Sequence, residues 1–220
     1  MPTLHCKALL LDMDGTLIDS LVLVEHVLGL FSTKHGLDYE EVRARAHGMQ
    51  TIDLVRHYLG DTDAARQEAK MLERYEEEHV EGIVATPGAA ALLRSLPPHQ
   101  VALVTSAGQK LARNRMNAAG LQLPTTAVFA EDANPGKPNP FCYQLGAKRL
   151  GLDAKDCVVI EDARAGIEAG LAAGAIVLNV GPRHPEQSAR VIDIASLEDL
   201  TIEVIGDSLN IGYVERNTNP

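Results

Sequence analysis

The stretch that decides the reading is Lys7-Ala8-Leu9-Leu10-Leu11-Asp12-Met13-Asp14-Gly15-Thr16-Leu17. Four apolar residues, Ala8 to Leu11, run directly into two carboxylates one residue apart, and Gly and Thr follow. A short continuous apolar run suits a strand buried on both faces, as in a parallel α/β sheet. With the strand ending at Leu11 or Asp12, Asp12, Asp14 and Thr16 stand at its carboxyl end, where open α/β sheets bind their ligands. Two carboxylates at such a place repel each other, so they ask for a cation, a proton or both.

Downstream, Asp19-Ser20 offers an N-cap for a helical run from Leu21 to His35. From there to about Ile83 the chain is helical and charge-rich, with no strand pattern. Its runs are Tyr39 to His47, Thr51 to Leu59 and Asp63 to His79, punctuated by Gly36, Gly48 and Gly60. Glu76-Glu77-Glu78 reads as a solvated helix face. A block of helices between two strand–helix units predicts an insertion, residues 18–85, in a core made of residues 1–17 and 86–220.

The α/β rhythm then returns. Strands are predicted at Val101 to Thr105, Ala127 to Ala130, Cys157 to Asp162 and Ala175 to Val180, with helices between them. Asn134-Pro135-Gly136-Lys137-Pro138-Asn139-Pro140 can only be a loop. Alternating strands and helices predict an α/β fold with a doubly wound parallel, Rossmann-like sheet. Thr201 to Ile205 and Leu209 to Val214 flank Gly206-Asp207-Ser208, which predicts a C-terminal β-hairpin at the sheet edge. Arg216 to Pro220 reads as a frayed end.

Composition narrows the partners. The chain has 220 residues, 45% hydrophobic and 23% charged, with a formal net charge of −10. That balance argues against nucleic acid or an anionic membrane surface as a partner. An anionic small molecule would have to be held locally, by a metal or a few placed cations. Cys6, Cys142 and Cys157 are odd in number and lack metal-ligand spacing, so they read as buried free thiols of a reducing compartment. The start has no signal-peptide pattern, and no run reaches membrane-spanning length. The expectation is a cytoplasmic protein, a monomer or weak homo-oligomer.

Three strands end in polar clusters: Asp12-x-Asp14, Thr105-Ser106 and Glu161-Asp162. In a parallel sheet these ends share one edge, and the Lys137 loop can reach it. Four carboxylates, two hydroxyls and a lysine, with no His or Cys in the cluster, suit a hard cation such as Mg²⁺ rather than Zn²⁺. Such a set also suits a phosphoryl group, whose transfer needs positioning and charge neutralisation. An Asp can serve as nucleophile, and a carboxyl two residues on as general acid and base. Alone, Asp-x-Asp-Gly could be a turn or a calcium loop, but the EF-hand pattern wants Gly where Leu17 stands. Thr105 and Asp162 taken singly could be helix N-caps, and for Asp19 and Ser20 capping is the better reading.

The four ordered motifs resemble those of the haloacid dehalogenase-like (HAD) phosphohydrolase superfamily. They are Asp12 to Ser20, Val104-Thr105-Ser106, Gly136 to Pro140, and Val159 to Ile167. The resemblance implies that Asp12 attacks phosphorus, while Asp14 protonates the leaving oxygen and later activates water. It implies that Asp12, the Asp14 backbone carbonyl and Asp162 hold Mg²⁺, with Glu161 assisting directly or through water. Thr105 and the backbone at Ser106 would grip the phosphoryl oxygens, Lys137 would neutralise charge and orient the nucleophile, and the helical insert would be a cap over a small phosphate ester. His47-Gly48-Met49-Gln50-Thr51, between two cap helices, could face the site, with His47 as a substrate contact or a helix-end residue. Glu25, His26 and Arg56 are weaker candidates.

Within the superfamily the chain is most similar to the sugar-phosphate phosphatases, which include hexitol and deoxyglucose phosphate phosphatases. Phosphoglycolate phosphatase is the alternative. A sugar phosphomutase of the β-phosphoglucomutase kind has a cap His and a cap Arg where this chain has Val24 and Thr51. Dehalogenases lack the second carboxylate, present here as Asp14. A non-catalytic binding protein of the same fold would need a broken catalytic set, and this set is complete.

Overall fold

The computed structural model describes residues 1–182 and 188–216. The chain opens with β1 (Thr3–Cys6), β2 (Ala8–Leu11) and β3 (Ile18–Asp19). Four helices follow: α1 (Leu21–His35), α2 (Tyr39–Ala46), α3 (Thr51–Leu59) and α4 (Asp63–Glu78). The chain returns through β4 (Val84–Ala85), α5 (Ala89–Ser95), β5 (Val101–Val104), α6 (Gln109–Ala118) and β6 (Thr126–Val128). Then come α7 (Phe141–Arg149), β7 (Cys157–Glu161), α8 (Arg164–Ala172), β8 (Ile176–Asn179), β9 (Val191–Asp193), β10 (Leu200–Ile205) and β11 (Ser208–Tyr213).

Six strands form one parallel sheet in the order β6-β5-β2-β7-β8-β9. The predicted α/β, doubly wound architecture is therefore present. The strand opened by Ala8 is central, pairing Leu9 with Val101 on one side and Val158 on the other. All four of its residues are buried, because helices cover both faces. Leu9 and Leu11 pack into one apolar cluster and Ala8 and Leu10 into the other, as the period of two requires. β9 had no clear sequence signal: it is three residues long, and half-buried throughout.

The hairpin of β10 and β11 forms as predicted, but its placement differs. It does not extend the parallel sheet. It pairs with β1, an unpredicted strand, in a separate three-stranded sheet of order β1-β11-β10. Thr3–Cys6 is too short and too mixed to announce a strand; it is one because Leu209 and Ile211 need a buried partner edge. The frayed-end expectation falls mostly on residues 217–220, outside the described residues. Arg216, which is described, is anchored, donating to the carbonyls of Gly181 and Ile194.

The four inserted helices enclose an apolar cluster of their own, including Val27, Phe31, Val42, Leu54, Val55 and Leu72. Two short strands, β3 and β4, pair antiparallel where the chain leaves and re-enters the sheet region. Thr86 Oγ1 donates to the Thr16 carbonyl at 2.7 Å and staples these two crossings together. Among the described residues no helix is long and apolar enough to cross a membrane. The three cysteines are buried and free.

Candidate active site

The carboxyl ends of β2 and β7 bring Asp12 and Glu161 side by side, since the strands pair in register from Ala8–Cys157 to Leu11–Ile160. The loop before α7 delivers Lys137 between them. Its Nζ donates to Asp12 Oδ1 at 2.5 Å, Glu161 Oε1 at 2.6 Å and the Val104 carbonyl at 3.1 Å. Glu161 is saturated: Oε1 also accepts from the Tyr143 hydroxyl at 2.8 Å, and Oε2 from the Asp162 and Ala163 amides, both at 3.0 Å. By contrast, among the described residues nothing donates to Asp12 Oδ2.

Burial sets the electrostatics of this cluster. It pushes the Asp12 carboxyl well above the usual range, Glu161 adds to the shift, and Lys137 opposes it without reversing it. Asp162 is pushed up to about 7, by burial first and Glu161 second, while its hydrogen bond from Thr16 pulls the other way. Burial alone would lower the Lys137 pKa, but Asp12 and Glu161 outweigh it and hold it above the ordinary value. One lysine therefore faces three carboxylates, and two of those resist ionising.

That imbalance bears on a metal. Asp12, Glu161 and Asp162 each present an oxygen within 4.8 Å of the others. The donors are all carboxylate oxygens, the chemistry of a hard divalent cation. The residues present fit such an ion. With Glu161 filled by four donors, the free capacity lies on Asp12 and Asp162. Two glycines make room for the cluster. Gly15, at φ +81°, lies where a Cβ would strike the Asp162 carboxylate, and a Cβ on Gly166 would overlap the Glu161 carboxylate.

Asp14, two residues from Asp12, belongs to a different cluster. Its Oδ1 accepts from Ser20 Oγ at 2.6 Å and from Arg115 Nη1 at 2.8 Å. Arg115 Nη2 in turn donates to Glu76 Oε1 at 2.9 Å. Two sequence readings are corrected here. Ser20 stands at the start of α1 but makes no capping bond, because its hydroxyl is spent on Asp14; Asp19 Oδ1 instead accepts from the Leu21 amide at 3.2 Å. Glu76 is no solvated residue. It is 7% exposed, while Glu77 pairs with Lys110 at 2.7 Å and Glu78 with Arg74 at 2.8 Å.

Both clusters border one cavity of about 140 Å³. Asp12, Asp14, Thr105, Ser106 and Asp162 line it from the sheet side, and the whole His47 to Thr51 segment from the helical side. Lys137 and Glu161 lie behind Asp12 and do not line it. Thr105 Oγ1 accepts from the Ala107 amide at 3.0 Å, shaping the turn after β5. Ser106 Oγ donates to the Gly48 carbonyl at 2.7 Å, and Gln50 Nε2 to the carbonyls of Ala130 and Ala133 at 3.2 and 2.8 Å. These bonds dock the helical block over the sheet end. His47 borders the cavity half-buried, its pKa lowered by burial first and by Arg43 second, so it is a neutral imidazole near pH 7. Glu25, His26 and Arg56 do not line the cavity; Glu25 pairs with Arg43, His26 with Tyr75 and Arg56 with Asp61.

Sequence reading missed Ser20 as a partner of Asp14, misread Glu76 as solvated, and missed Tyr143 and Arg115 altogether. Arg115 sits among Lys110 and Arg113 on a helix and looks like ordinary surface charge. The available signal was spacing: Leu111, Ala112, Arg115 and Met116 share the buried face of α6.

The family model of haloacid dehalogenase-like hydrolases matches residues 6–174. Hexitol phosphatase A of Escherichia coli (strain K12) is 42% identical over 205 residues, covering 90% of this chain and 95% of that protein. Glycerol-1-phosphate phosphohydrolase 2 of Saccharomyces cerevisiae is 28% identical, over 99% of this chain and 89% of its own. Among solved structures, a family IA HAD hydrolase from Entamoeba histolytica superposes with a TM-score of 0.74 at 23% identity, covering 88% of this chain and 95% of that one.

Proposed function

The chain belongs to the haloacid dehalogenase-like hydrolase family, and from that premise we propose a phosphatase that releases inorganic phosphate from sugar or polyol phosphate monoesters. The observation that carries this reading is the pairing of an anchored Asp12, its Oδ2 free, with a half-buried Asp14 on the same cavity. Similarity to a hexitol phosphatase and a glycerol-1-phosphate phosphohydrolase supports the substrate class.

In the first step Asp12 attacks phosphorus. A bond from its carboxylate oxygen to phosphorus forms, the bond to the ester oxygen breaks, and Asp14 gives that oxygen a proton. In the second step water attacks the aspartyl phosphate, Asp14 takes the water's proton, and Asp12 leaves as a carboxylate. Lys137 fixes the rotamer of Asp12 and keeps part of the buried charge neutral. Ser20 and Arg115 hold Asp14 Oδ1 and leave Oδ2 for the proton transfer. Thr105 shapes the turn that receives the phosphoryl oxygens, beside the Ser106 backbone. Mg²⁺ held by Asp12, the Asp14 carbonyl and Asp162, with Glu161 behind them, would neutralise phosphoryl charge. Residues 18–85 act as a cap that excludes water, with His47 at its rim. Three buried free thiols support a reducing, cytoplasmic setting, and the assembly proposed is a monomer or weak homo-oligomer.

Val24, at the place of the mutase cap histidine, lines the cavity and can move no proton, which favours hydrolysis over phosphomutase chemistry. The test is phosphate release with Mg²⁺ from hexitol phosphates, glycerol phosphate and phosphoglycolate, for wild type and Asp12→Asn. The expected result is turnover of the first two by wild type, and none by the variant. A wild type that hydrolyses no phosphate ester refutes the reading.

A further inference from the structure

We propose that Arg115 and Glu76 form a hydroxyl-binding subsite that restricts the enzyme to uncharged, polyhydroxylated leaving groups. This inference rests on the phosphatase reading and deepens it.

The pair is unusual in its burial. Arg115 is 3% exposed and Glu76 7%, yet both line the cavity shared by Asp12 and Asp14. Two of the three guanidinium nitrogens are engaged, Nη1 by Asp14 and Nη2 by Glu76. The third, Nε, is buried and has no partner. Glu76 Oε2 likewise receives no donor among the described residues. A buried donor without a partner and a carboxylate oxygen without a donor, on the two members of one ion pair, match an alcohol, which accepts from Nε through its oxygen and donates its proton to the carboxylate. Two neighbouring hydroxyls can use both at once.

The rest of the wall agrees. Val24, Val27, Leu28, Leu54, Leu72 and Leu111 line the same cavity and suit the carbon backbone of a polyol. Charge selects against the alternative. Arg115 already answers two carboxylates, Asp14 and Glu76, so it has no charge to spare for a third. The carboxylate of a glycolate leaving group would meet Glu76 without compensation. Because Arg115 also holds Asp14, a hydroxyl seated on this pair is registered against the proton donor.

The experiment compares kcat/KM for a hexitol phosphate and for phosphoglycolate in wild type and Glu76→Gln. The expected wild-type preference for the hexitol phosphate is at least about 100-fold, and Glu76→Gln should reduce that ratio at least tenfold, through a higher KM for the hexitol phosphate and a faster reaction of phosphoglycolate. A parallel fall on both substrates makes Glu76 merely structural and overturns the subsite while leaving the phosphatase reading intact. Should Glu76→Gln not fold, wild type decides: equal efficiency on the two substrates overturns the inference, and competitive inhibition by free hexitol but not by glycolate supports it. A wild type inert toward every phosphate ester overturns both readings, which keeps the two failures distinguishable.

Discussion

Lys137 and Arg115 each set a buried cation between two carboxylates, Arg115 on the cavity wall and Lys137 behind Asp12, and the two clusters are built from different parts of the chain. Lys137, Asp12 and Glu161 all come from segments at the carboxyl end of one sheet. Arg115 joins Asp14, 101 positions away on the sheet side, to Glu76, 39 positions away on an inserted helix. Asp12 and Asp14 are two residues apart, and alternate residues of one turn feed separate networks. The first cluster is closed on itself: Glu161 accepts four donors, and among the described residues no hydrogen bond of Lys137 or Glu161 reaches helices α1–α4. The second spans the boundary between sheet and insertion, and it carries the open donor. A rigid, self-contained cluster suits chemistry common to all substrates, while a cluster assembled across two layers suits the choice among them.

Substitutions separate the two. The largest effect is expected for Lys137→Met, which leaves Asp12 and Glu161 buried without their cation. It should abolish turnover and cost about 3 kcal/mol, roughly 6–12 °C in Tm for a chain of this size. Thermal unfolding followed by circular dichroism checks the second half; an unchanged Tm would show that the cluster is less interdependent than its bonds indicate.

Asp14→Asn should behave differently, because Asp14 is half-buried and the amide oxygen can still accept from Ser20 and Arg115. It should lower kcat by roughly 10²–10⁴-fold while Tm stays within about 2–4 °C of wild type. A large loss of stability here would erase the distinction between the clusters.

The smallest effect concerns Glu73, on α4 one turn from Glu76. Burial, then Glu76, pushes its pKa from 4.5 up to about 7. The folded protein thus holds a proton that the unfolded chain releases, so this group stabilises most below pH 4.5, loses that contribution as pH rises to 7, and is level above. Glu73→Gln removes the loss. Its Tm advantage over wild type should grow from pH 5 to pH 8, by about 0.5 kcal/mol or roughly 1–2 °C once solvent screening is allowed for. A gap that is constant with pH would mean Glu73 ionises normally.

Much of the first cluster could be read along the chain, for a physical reason. A parallel strand buried on both faces must be apolar throughout, so a polar residue at its end stands out, as Asp12, Thr105 and Glu161 do. Lys137 stands out because proline and glycine surround it and exclude regular structure. The four helices between β3 and β4 were legible as a helical, charge-rich stretch with no strand pattern. Ser20 was misread because a serine before a helix caps far more often than it binds a catalytic carboxylate.

Local pattern, then, determined the parallel sheet, the three polar strand ends and the loop that converge on it, and the carboxylate chemistry suited to phosphoryl transfer. Tertiary structure alone decided that Glu76 is buried and Glu78 is not, that Arg115 is a bridge and Lys110 a surface ion pair, and that Thr3–Cys6 is a strand. Helical charges of one sign or the other look alike in sequence, since their meaning depends on what packs against their face. That partner lies in another layer of the fold, here across the cavity between the sheet end and the inserted helices. Asp12 and Asp14 illustrate both halves: their presence was written in one short stretch, and their separation into two networks came only from what the rest of the chain placed beside each.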